Sequence, residues 1–255
     1  MSVPLPAPVA KLAADLAELP GAVAVVLAAR VRPRRTAPTA TGTSGSTTVV
    51  DNARWTRRTS AGSHGGYVSG LGEWGPIVHG GAWLTVEGIA VDVLFRDLDV
   101  VERWLDDAQR GRFDVLMQNG YVVGAPTYLP VGELSICQPI VGQIPRPSFP
   151  QPLTASAPER WQGRASVALM FARAHAALGD CVCCLGMLVH AVLCAAHGRL
   201  AQRGEWVLNE KRLVQRAGLD DVQPLLARPG STTADLLASA TAVSAALQIQ
   251  PLNAR

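Results

Sequence analysis

Four of the five cysteines and one histidine form a group of potential metal ligands within a short apolar stretch. They are Cys181, Cys183, Cys184, His190 and Cys194. Thiolates and imidazoles are ligands that Zn²⁺ prefers. The first three cysteines do not share one face of a helix, however, and no second paired-cysteine element accompanies them. We therefore interpret the group as small buried hydrophobic residues and not as a zinc site.

Two acidic residues elsewhere in the sequence, Asp92 and Glu210, could bind a metal ion or act as a base. Asp92 lies in Val91-Asp92-Val93-Leu94, an alternating strand in which burying an unpaired carboxylate would be costly. Periodicity alone places Asp92 on the solvent-facing side of a hairpin. The simplest interpretation of Asn209-Glu210-Lys211 is the start of a helix, with Asn209 as the cap and Glu210 beside the positive end of the helix dipole.

The segment from Ala28 to about Gly65 is rich in Arg, Thr, Ala, Pro, Ser and Gly and shows almost no apolar periodicity. Its composition is that of a disordered basic loop. It is also what GC-rich coding DNA gives when it is read out of frame. When the third base of each codon is joined to the first two bases of the next, synonymous codons permit L-G-G-S-R-A from Leu27 onward. The same frame permits R-P-D-S-D-W-D-F across Thr36–Ser44, then G-L-Y-Y-R, and the encoded frame resumes at Gly66.

This hidden string closely resembles the signature of the minimal nucleotidyltransferase family of the polymerase beta-like superfamily, which is G-S, a spacer, and D-x-D on the following strand. Three encoded stretches also look like parts of nucleotidyltransferase-domain proteins. They are Gly80–Leu84, Val91–Leu98 and Trp206–Lys211, and Gly72–Pro76 is a fourth such stretch. The resemblance covers most of the chain, and it identifies the segment that should hold G-S and D-x-D as frameshifted.

The resemblance implies that intact relatives transfer a nucleoside monophosphate from a nucleoside triphosphate to an acceptor hydroxyl, using Mg²⁺ ions held by carboxylates. It makes Asp92 the third metal-binding carboxylate. It also implies that Lys211 contacts the nucleotide phosphate and that Glu210 is a catalytic base toward the acceptor. The encoded segment from Ala28 to Gly65 has no D-x-D, so we expect this copy to bind Mg²⁺ and NTP unproductively and to be inactive. The acceptor, a small molecule or a macromolecule, is left open.

Composition bears on the alternatives. A hydrophobic content of 48% and a charged content of 17% are typical of a folded protein. The net charge of +3 is local, since residues 28–68 hold seven arginines and one acid, Asp51. A basic nucleic-acid-binding protein is therefore less favoured than a non-catalytic nucleotide-binding or antitoxin-like module. We expect no membrane partner, because the longest apolar run, Leu185–Ala196, is interrupted. The odd number of cysteines favours a cytoplasmic location.

The pattern predicts an α+β fold, with a nucleotidyltransferase-like mixed β-sheet domain followed by a C-terminal α-helical bundle. We place the sheet domain at residues 1–142, with 28–65 irregular, a Pro-rich linker at 143–158, and the helical domain at 159–255. The predicted elements of the sheet domain are a helix at Pro8–Leu19, a strand at Gly21–Leu27, a hairpin at Ile77–Asp97, a helix at Leu98–Gln109 and a strand at Gly132–Ile140. Further helices are predicted at Glu159–Leu178, Cys181–Arg203, Asn209–Ala217 and Thr232–Leu247.

Overall fold

A computed structural model describes residues 5–28, 45–50, 65–70 and 72–252 of the chain. The chain divides into two compact units. The sheet unit comprises residues 1–106, 114–119 and 125–148, and the helical unit comprises residues 107–113, 120–124 and 149–255. A mixed sheet in one unit and helices in the other confirm the predicted α+β class.

The described part of the sheet unit contains eight strands, six of which form the main sheet. In chain order the strands are β1 (Ala24–Leu27), β2 (Gly45–Val50), β3 (Gly65–Val68), β4 (Gly80–Val86), β5 (Ile89–Arg96), β6 (Val115–Leu116), β7 (Ala125–Pro126) and β8 (Gln138–Val141). The order across the sheet is β3-β4-β5-β2-β1-β8, while β6 and β7 pair separately. Only the β2–β5 pair is parallel among these described ladders, so the sheet is mixed, as predicted.

One face of this sheet is covered by helix α1 (Ala7–Ala17). The other described helices that begin in this unit are α2 (Leu98–Gln109) and α3 (Leu129–Ile136). The apolar side of α1 joins inward-facing strand residues in one core cluster, and its buried members include Leu12, Leu16, Val25, Val91 and Val93. The opposite face carries Ala24 and Val26, which cluster with Cys137. Successive residues of a strand point to opposite faces, so the position of each β5 residue follows from this core.

The β4–β5 hairpin closes through Glu87 and Gly88, as predicted. Both residues have positive φ, 47° at Glu87 and 79° at Gly88. Two positive values are what a two-residue type I′ turn requires, and they match the right-handed twist of the strands. Glycine carries this conformation without strain, and the turn sets the register Val86↔Ile89.

Two predictions for the sheet unit are wrong in part. Residues 45–50 lie in the segment expected to be irregular, yet they form β2; four of the six, Thr47–Val50, are β-branched residues that favour strands. Positions 29–44 and 51–64 lie outside the described residues. The strand predicted at 132–140 is helix α3 followed by β8, since a short apolar run does not distinguish the two and Pro130 fits the first turn of a helix.

The helical unit contains five described helices. They are α4 (Gln151–Ala177), α5 (Cys181–Gln202), α6 (Leu213–Arg216), α7 (Val222–Ala227) and α8 (Thr233–Leu247). Its largest fully buried side chains include Trp161, Leu188 and Leu236. The predictions for α5 and α8 are confirmed, and Thr232 forms a capping box with Asp235 at the start of α8.

Helix α5 is the one described helix that is long and apolar enough to cross a membrane by length and composition. An 18-residue window within it has a mean hydropathy of 1.9, although Gly186 and His190 interrupt its apolar run. Of that window, 56% is buried inside the structure. Helix α5 packs against α4 and is largely buried, which explains its apolar composition as that of a core helix.

Two helix boundaries differ from the sequence prediction. Helix α4 begins at Gln151, so residues 151–158 are helical and not part of a linker. Pro152 sits in the first turn, where a missing N–H breaks no intrahelical bond, and Pro158 is accommodated inside the helix. The helix expected from Asn209 is reduced to α6, because Arg212 adopts a left-handed conformation with φ 54°.

Candidate functional site

Asp92 lies on β5, an interior strand with β4 on one side and β2 on the other. Its cross-strand partners are Trp83 on β4 and Ser46 on β2. Its neighbours Val91 and Val93 point into the core beneath α1, so Asp92 projects from the opposite face of the sheet. The residue is half-buried there. Asp92 thus lies on one of the two central strands of the described sheet.

Asp92 is the only carboxylate within the strands of the six-stranded sheet as described. The sequences of β1, β2, β3, β4 and β8 contain no Asp or Glu. Strand β2, which runs parallel to β5, contributes Gly, Ser, Thr and Val only. Two divalent cations need several carboxylate oxygens, and these strands provide one carboxyl group.

Two further aromatic rings pack around Trp83, the cross-strand partner of Asp92. Tyr67 on β3 pairs with Trp83, and Trp74 stacks on Trp83 with ring centroids 5.0 Å apart. The rings of Tyr67 and Trp74 are nearly parallel, with an interplanar angle of 7°. Trp83 is 56% exposed and Tyr67 47%. We refer to Tyr67, Trp74 and Trp83 as the aromatic cluster.

Gly81 allows the aromatic cluster to lie close to the strand. A Cβ atom at this position would come within 2.7 Å of a ring carbon of Trp74. Such contacts essentially never occur, and the same Cβ would also clash with the Val93 carbonyl of β5, so any other residue would have to displace both the indole and the neighbouring strand. Gly81 and Trp83 are two residues apart in β4 and share one face of the sheet.

The face that carries Asp92 can therefore do two things. Exposed indole and phenol rings can stack on a planar group, an interaction worth about 1–3 kcal/mol per nucleic-acid base. A neighbouring carboxylate can supply one oxygen ligand to a divalent cation or accept a hydrogen bond. The sequence pattern indicates Asp92 but not the aromatic cluster, although alternation along β4 predicts the outward position of Trp83.

The end of β5 is fixed by polar contacts that sequence analysis also missed. Arg96 makes a two-pronged ion pair with Glu133 of α3, at 2.6 Å and 2.7 Å, and its side chain is 3% exposed. The Nδ1 atom of His79 accepts a hydrogen bond from the Asp97 amide at 2.7 Å. Burial, followed by the Arg96 charge, lowers the pKa of His79 from its ordinary value, which suits an imidazole that must accept at Nδ1. These residues position the strand that carries Asp92.

Glu210 contacts backbone amides in the helical unit. Its carboxylate accepts hydrogen bonds from the N–H groups of Val122 at 2.6 Å and Val123 at 3.2 Å. Arg164 donates to the carbonyl of Val123 at 3.3 Å, and the Tyr121 hydroxyl donates to the carbonyl of Leu208 at 2.8 Å. Glu210 thus helps to hold residues 120–124, and its role as a base stays a prediction.

Lys211 is exposed, and its backbone N–H donates to Asn209 Oδ1 at 3.0 Å, which forms a local turn and not a helix cap. Its predicted contact with nucleotide phosphate stays a prediction. Lys211 and Glu210 belong to the helical unit and Asp92 to the sheet unit. The predicted proximity of the three side chains likewise stays a prediction.

The cysteines are only partly the buried hydrophobic residues that the sequence predicts. Cys184 and Cys194 are buried, and burial raises the pKa of Cys194 to about 12. Cys183, in contrast, is exposed because it falls in the first turn of α5. Its thiol lies with His175 and Asp180 in a group whose ligand atoms are within 4.8 Å of one another. Asp180 caps α5 by accepting the Cys183 N–H at 3.0 Å, which accounts for its position without a metal.

No protein-family model matches the chain, and no curated protein matches it. Among solved structures, the chain is similar to a nucleotidyltransferase-like protein from Exiguobacterium sibiricum 255-15, with 12% sequence identity and a TM-score of 0.47. The alignment covers 93% of this chain and 72% of that chain. A similarity at this level transfers neither a site nor an activity.

Proposed function

We propose that the chain is a nucleotidyltransferase-superfamily protein whose encoded sequence has lost its paired metal-binding carboxylates, and that it transfers no nucleotide as written. The observation that carries the proposal is the pairing of β2 with β5. The two strands run parallel at the centre of the sheet, and Asp92 is the only acid on either of them. One carboxylate is thus present where the chemistry needs three.

The alternative reading frame supplies the missing acids next to this position. Its D-S-D-W-D-F string is read across Thr36–Ser44 and ends where β2 begins, at Gly45. Gly45 pairs with Val91, and Ser46 pairs with Asp92. A restored D-x-D would directly precede the residues that pair beside Asp92. This placement supports the assignment of Asp92 as the third carboxylate.

The encoded residues do not fit a pair of Mg²⁺ ions. Mg²⁺ requires octahedral oxygen coordination and commonly uses one or two carboxylates together with waters and substrate phosphates. Asp92 alone supplies too little negative charge to hold two cations against a triphosphate. Phosphoryl transfer depends on electrostatic stabilisation of this kind, so activity should be lost with the acids.

Lys211 and Glu210 are proposed to have the roles that the resemblance implies, but Glu210 is already hydrogen-bonded in this structure. Lys211 is exposed and is proposed to contact nucleotide phosphate. Glu210 is proposed as the base toward the acceptor hydroxyl, and it would have to exchange its bonds to Val122 and Val123 for that contact. The acceptor in intact relatives would be a small molecule or a macromolecule, and we propose a cytoplasmic location for this chain.

A second candidate is a non-catalytic module that binds a nucleotide. The aromatic cluster favours it, because exposed rings can stack on a base without any metal ion. In that case a nucleotide would bind to the encoded chain although no transfer occurs. The less favoured alternative, nucleic-acid binding through the arginines at 30–58, concerns positions outside the described residues.

A transfer assay with three proteins tests the proposal. The proteins are the encoded chain, a version with the alternative frame restored between Leu27 and Gly66, and that version with Asp92→Asn. Each is incubated with radiolabelled nucleoside triphosphates, Mg²⁺ or Mn²⁺, and a panel of acceptors or cell lysate. Glu102→Gln in the restored version is the matched control, since Glu102 is an exposed acid on α2.

Metal-dependent transfer is expected from the restored version and from its Glu102→Gln variant only. Loss of a metal-binding carboxylate should reduce the rate by a factor of at least about 100. Robust transfer by the encoded chain, or full activity of the Asp92→Asn variant, would overturn the proposal. Nucleotide binding without transfer by every version would support the non-catalytic module.

A further inference from the structure

The connection between α4 and α5 brings three potential metal ligands together. His175 lies in the last turn of α4, Asp180 caps α5, and Cys183 lies in the first turn of α5. One ligand atom from each of these side chains lies within 4.8 Å of the other two. The group contains one thiol of the cysteine-rich stretch and adds an imidazole and a carboxylate. It is therefore a different set of ligands from the group of cysteines and His190 that the sequence suggests.

The backbone of this connection is fixed by the ends of the two helices. The His175 carbonyl accepts hydrogen bonds from the N–H groups of Leu178 at 3.1 Å and Asp180 at 3.0 Å. Gly179, between them, has φ 72°, a left-handed conformation that glycine adopts without strain and that commonly ends a helix. Local structure within residues 175–183 thus places all three ligand residues without any metal ion.

The two carboxylate oxygens of Asp180 have different neighbours. Oδ1 accepts the Cys183 N–H at 3.0 Å and so caps α5. Oδ2 lies 3.6 Å from the Nδ1 atom of His175, a distance that is too long for a hydrogen bond. A tetrahedral Zn²⁺ ion with ligand distances of about 2.0–2.2 Å separates a nitrogen and an oxygen ligand by about 3.4 Å. The cap therefore explains where Asp180 lies, and the spacing of Oδ2 and Nδ1 is close to that of two ligands of one ion.

The chemical types of the three donors favour one class of metal ion. A thiolate and an imidazole suit Zn²⁺, whereas Mg²⁺ and Ca²⁺ take oxygen ligands. The Cys183 thiolate and the Asp180 carboxylate together balance the two positive charges of a divalent cation. The side chains of His175 and Asp180 are 32% and 41% exposed, and Cys183 is exposed as well. An ion can therefore enter from solvent, and a water molecule can take the fourth position.

We propose that His175, Asp180 and Cys183 bind a Zn²⁺ ion at the α4–α5 connection, with water as the fourth ligand. The ligand atoms of such an ion lie about 3.4–3.6 Å apart, so the observed separations have to shorten by at most about 1.3 Å. Cys183 releases its thiol proton to solvent when the Zn–S bond forms. The site is separate from Asp92 and does not depend on nucleotide transfer.

Titration of the encoded chain, reduced and without an affinity tag, with Co²⁺ tests the proposal. Co²⁺ replaces Zn²⁺ in tetrahedral sites, where a thiolate ligand gives a charge-transfer band in the near ultraviolet and the geometry gives bands in the visible. The variants are Cys183→Ser, His175→Gln and Asp180→Asn. Asparagine caps a helix as well as aspartate does, so Asp180→Asn removes the charge and keeps the cap. Cys181→Ser is the matched control, because Cys181 lies in the same helical turn and its thiol is outside the group.

One equivalent of Co²⁺ is expected to produce both sets of bands, and Zn²⁺ is expected to displace it. Cys183→Ser should lose the charge-transfer band. Each of the three ligand variants should raise the Kd for Zn²⁺ at least about tenfold, since loss of a partner even outside the coordination shell has an effect of this size. Cys181→Ser should leave the bands and the Kd unchanged.

The melting temperature of each metal-free variant checks its folding, and Zn²⁺ should raise it more in the encoded chain than in the three ligand variants. Absence of the bands in the encoded chain would overturn the proposal. An unchanged Kd for any of the three ligand variants, or an equal loss of binding in Cys181→Ser, would overturn it as well.

Discussion

Trp83 and Asp92 are direct cross-strand partners on β4 and β5, so the one carboxylate within the described strands of the sheet lies beside an exposed indole. Directly opposed residues on antiparallel strands have Cβ atoms about 4.5–5.5 Å apart. A cation held by Asp92 would therefore lie close enough to Trp83 to change its fluorescence. This relationship allows metal binding to be measured without any knowledge of the acceptor.

We expect Mn²⁺ to quench tryptophan fluorescence saturably in the version with the restored reading frame and not in the encoded chain. Mn²⁺ prefers oxygen ligands, and the encoded strands offer only the Asp92 carboxylate. Titration with Mn²⁺ measures the effect. Asp92→Asn should abolish it, and Trp83→Phe should reduce its amplitude with no change in Kd. Saturable quenching in the encoded chain that disappears with Asp92→Asn would contradict the prediction.

The Arg96–Glu133 ion pair should be a major contributor to the stability of the sheet unit. The side chains are 3% and 16% exposed, so Glu133→Ala would leave a buried guanidinium without its partner. Such changes cost about 3–5 kcal/mol of unfolding free energy. Urea denaturation gives the value.

The exposed Lys11–Asp15 pair on α1 provides the control. Its side chains are 73% and 51% exposed, and the two residues are four apart on the helix. Lys11→Ala should change the free energy of unfolding by less than about 0.5 kcal/mol. Equal effects of Glu133→Ala and Lys11→Ala would show that the buried pair is not held as described.

His197 should make the protein sensitive to acid. It is fully buried, stacks on Trp161 at 4.3 Å, and has no partner for either ring nitrogen. Burial, with smaller effects of Arg164 and Arg216, lowers the pKa of His197 from 6.5 to about 3. The unfolded chain therefore binds the proton first, and stability is lost as the pH falls from about 6.5 toward 3, by up to about 1.4 kcal/mol per pH unit.

His197→Phe should remove this loss and should raise the unfolding free energy at pH 7 by about 1 kcal/mol, because it replaces two unsatisfied polar atoms with a ring of similar size. Thermal denaturation between pH 7 and pH 4 measures both effects. His79 and His190 add acid sensitivity of the same sign, since their pKa values are also lowered. A His197→Phe variant with a lower melting temperature at every pH would contradict the prediction.

Glu210→Ala should loosen residues 120–124 locally. The variant removes the acceptor of the Val122 and Val123 amides, whose hydrogen bonds are 2.6 Å and 3.2 Å long. Hydrogen exchange at these two amides should become at least about tenfold faster, which corresponds to losing roughly 1.4 kcal/mol of local protection. Lys211→Ala is the neighbouring control and should leave both rates unchanged. Unaltered exchange in Glu210→Ala would argue that the glutamate is free for chemistry.

The elements that the sequence predicts well are those with a local physical cause. The β4–β5 hairpin follows from alternation and from Gly88, and α8 follows from Thr232 and Asp235 at its start. The placement of Asp92 on a central strand follows from alternation and the family resemblance together. The sequence features that predict the hairpin and α8 each lie within a few consecutive residues.

The errors occur where distant contacts decide the outcome. The apolar run at 132–140 had no local feature that distinguished a strand from the helix α3, whose Glu133 pairs with Arg96 on another element. Glu210 looked like a residue of a first helical turn, but its amide partners are 87 and 88 positions away. The aromatic cluster likewise joins three separate places in the sequence.

Residues that precede the proline-rich segment 143–158 form part of the interior of the helical unit. Phe113 packs 6.0 Å from Trp161 and beneath Arg160, and the Ser156 hydroxyl donates to the carbonyl of Gly111. A gene fragment that started at Phe149 would omit these partners and expose the Trp161 side chain. Recombination at Phe149 would therefore not transfer the helical unit as an independent module. An exchange that keeps the unit intact would have to include residues 107–124 as well.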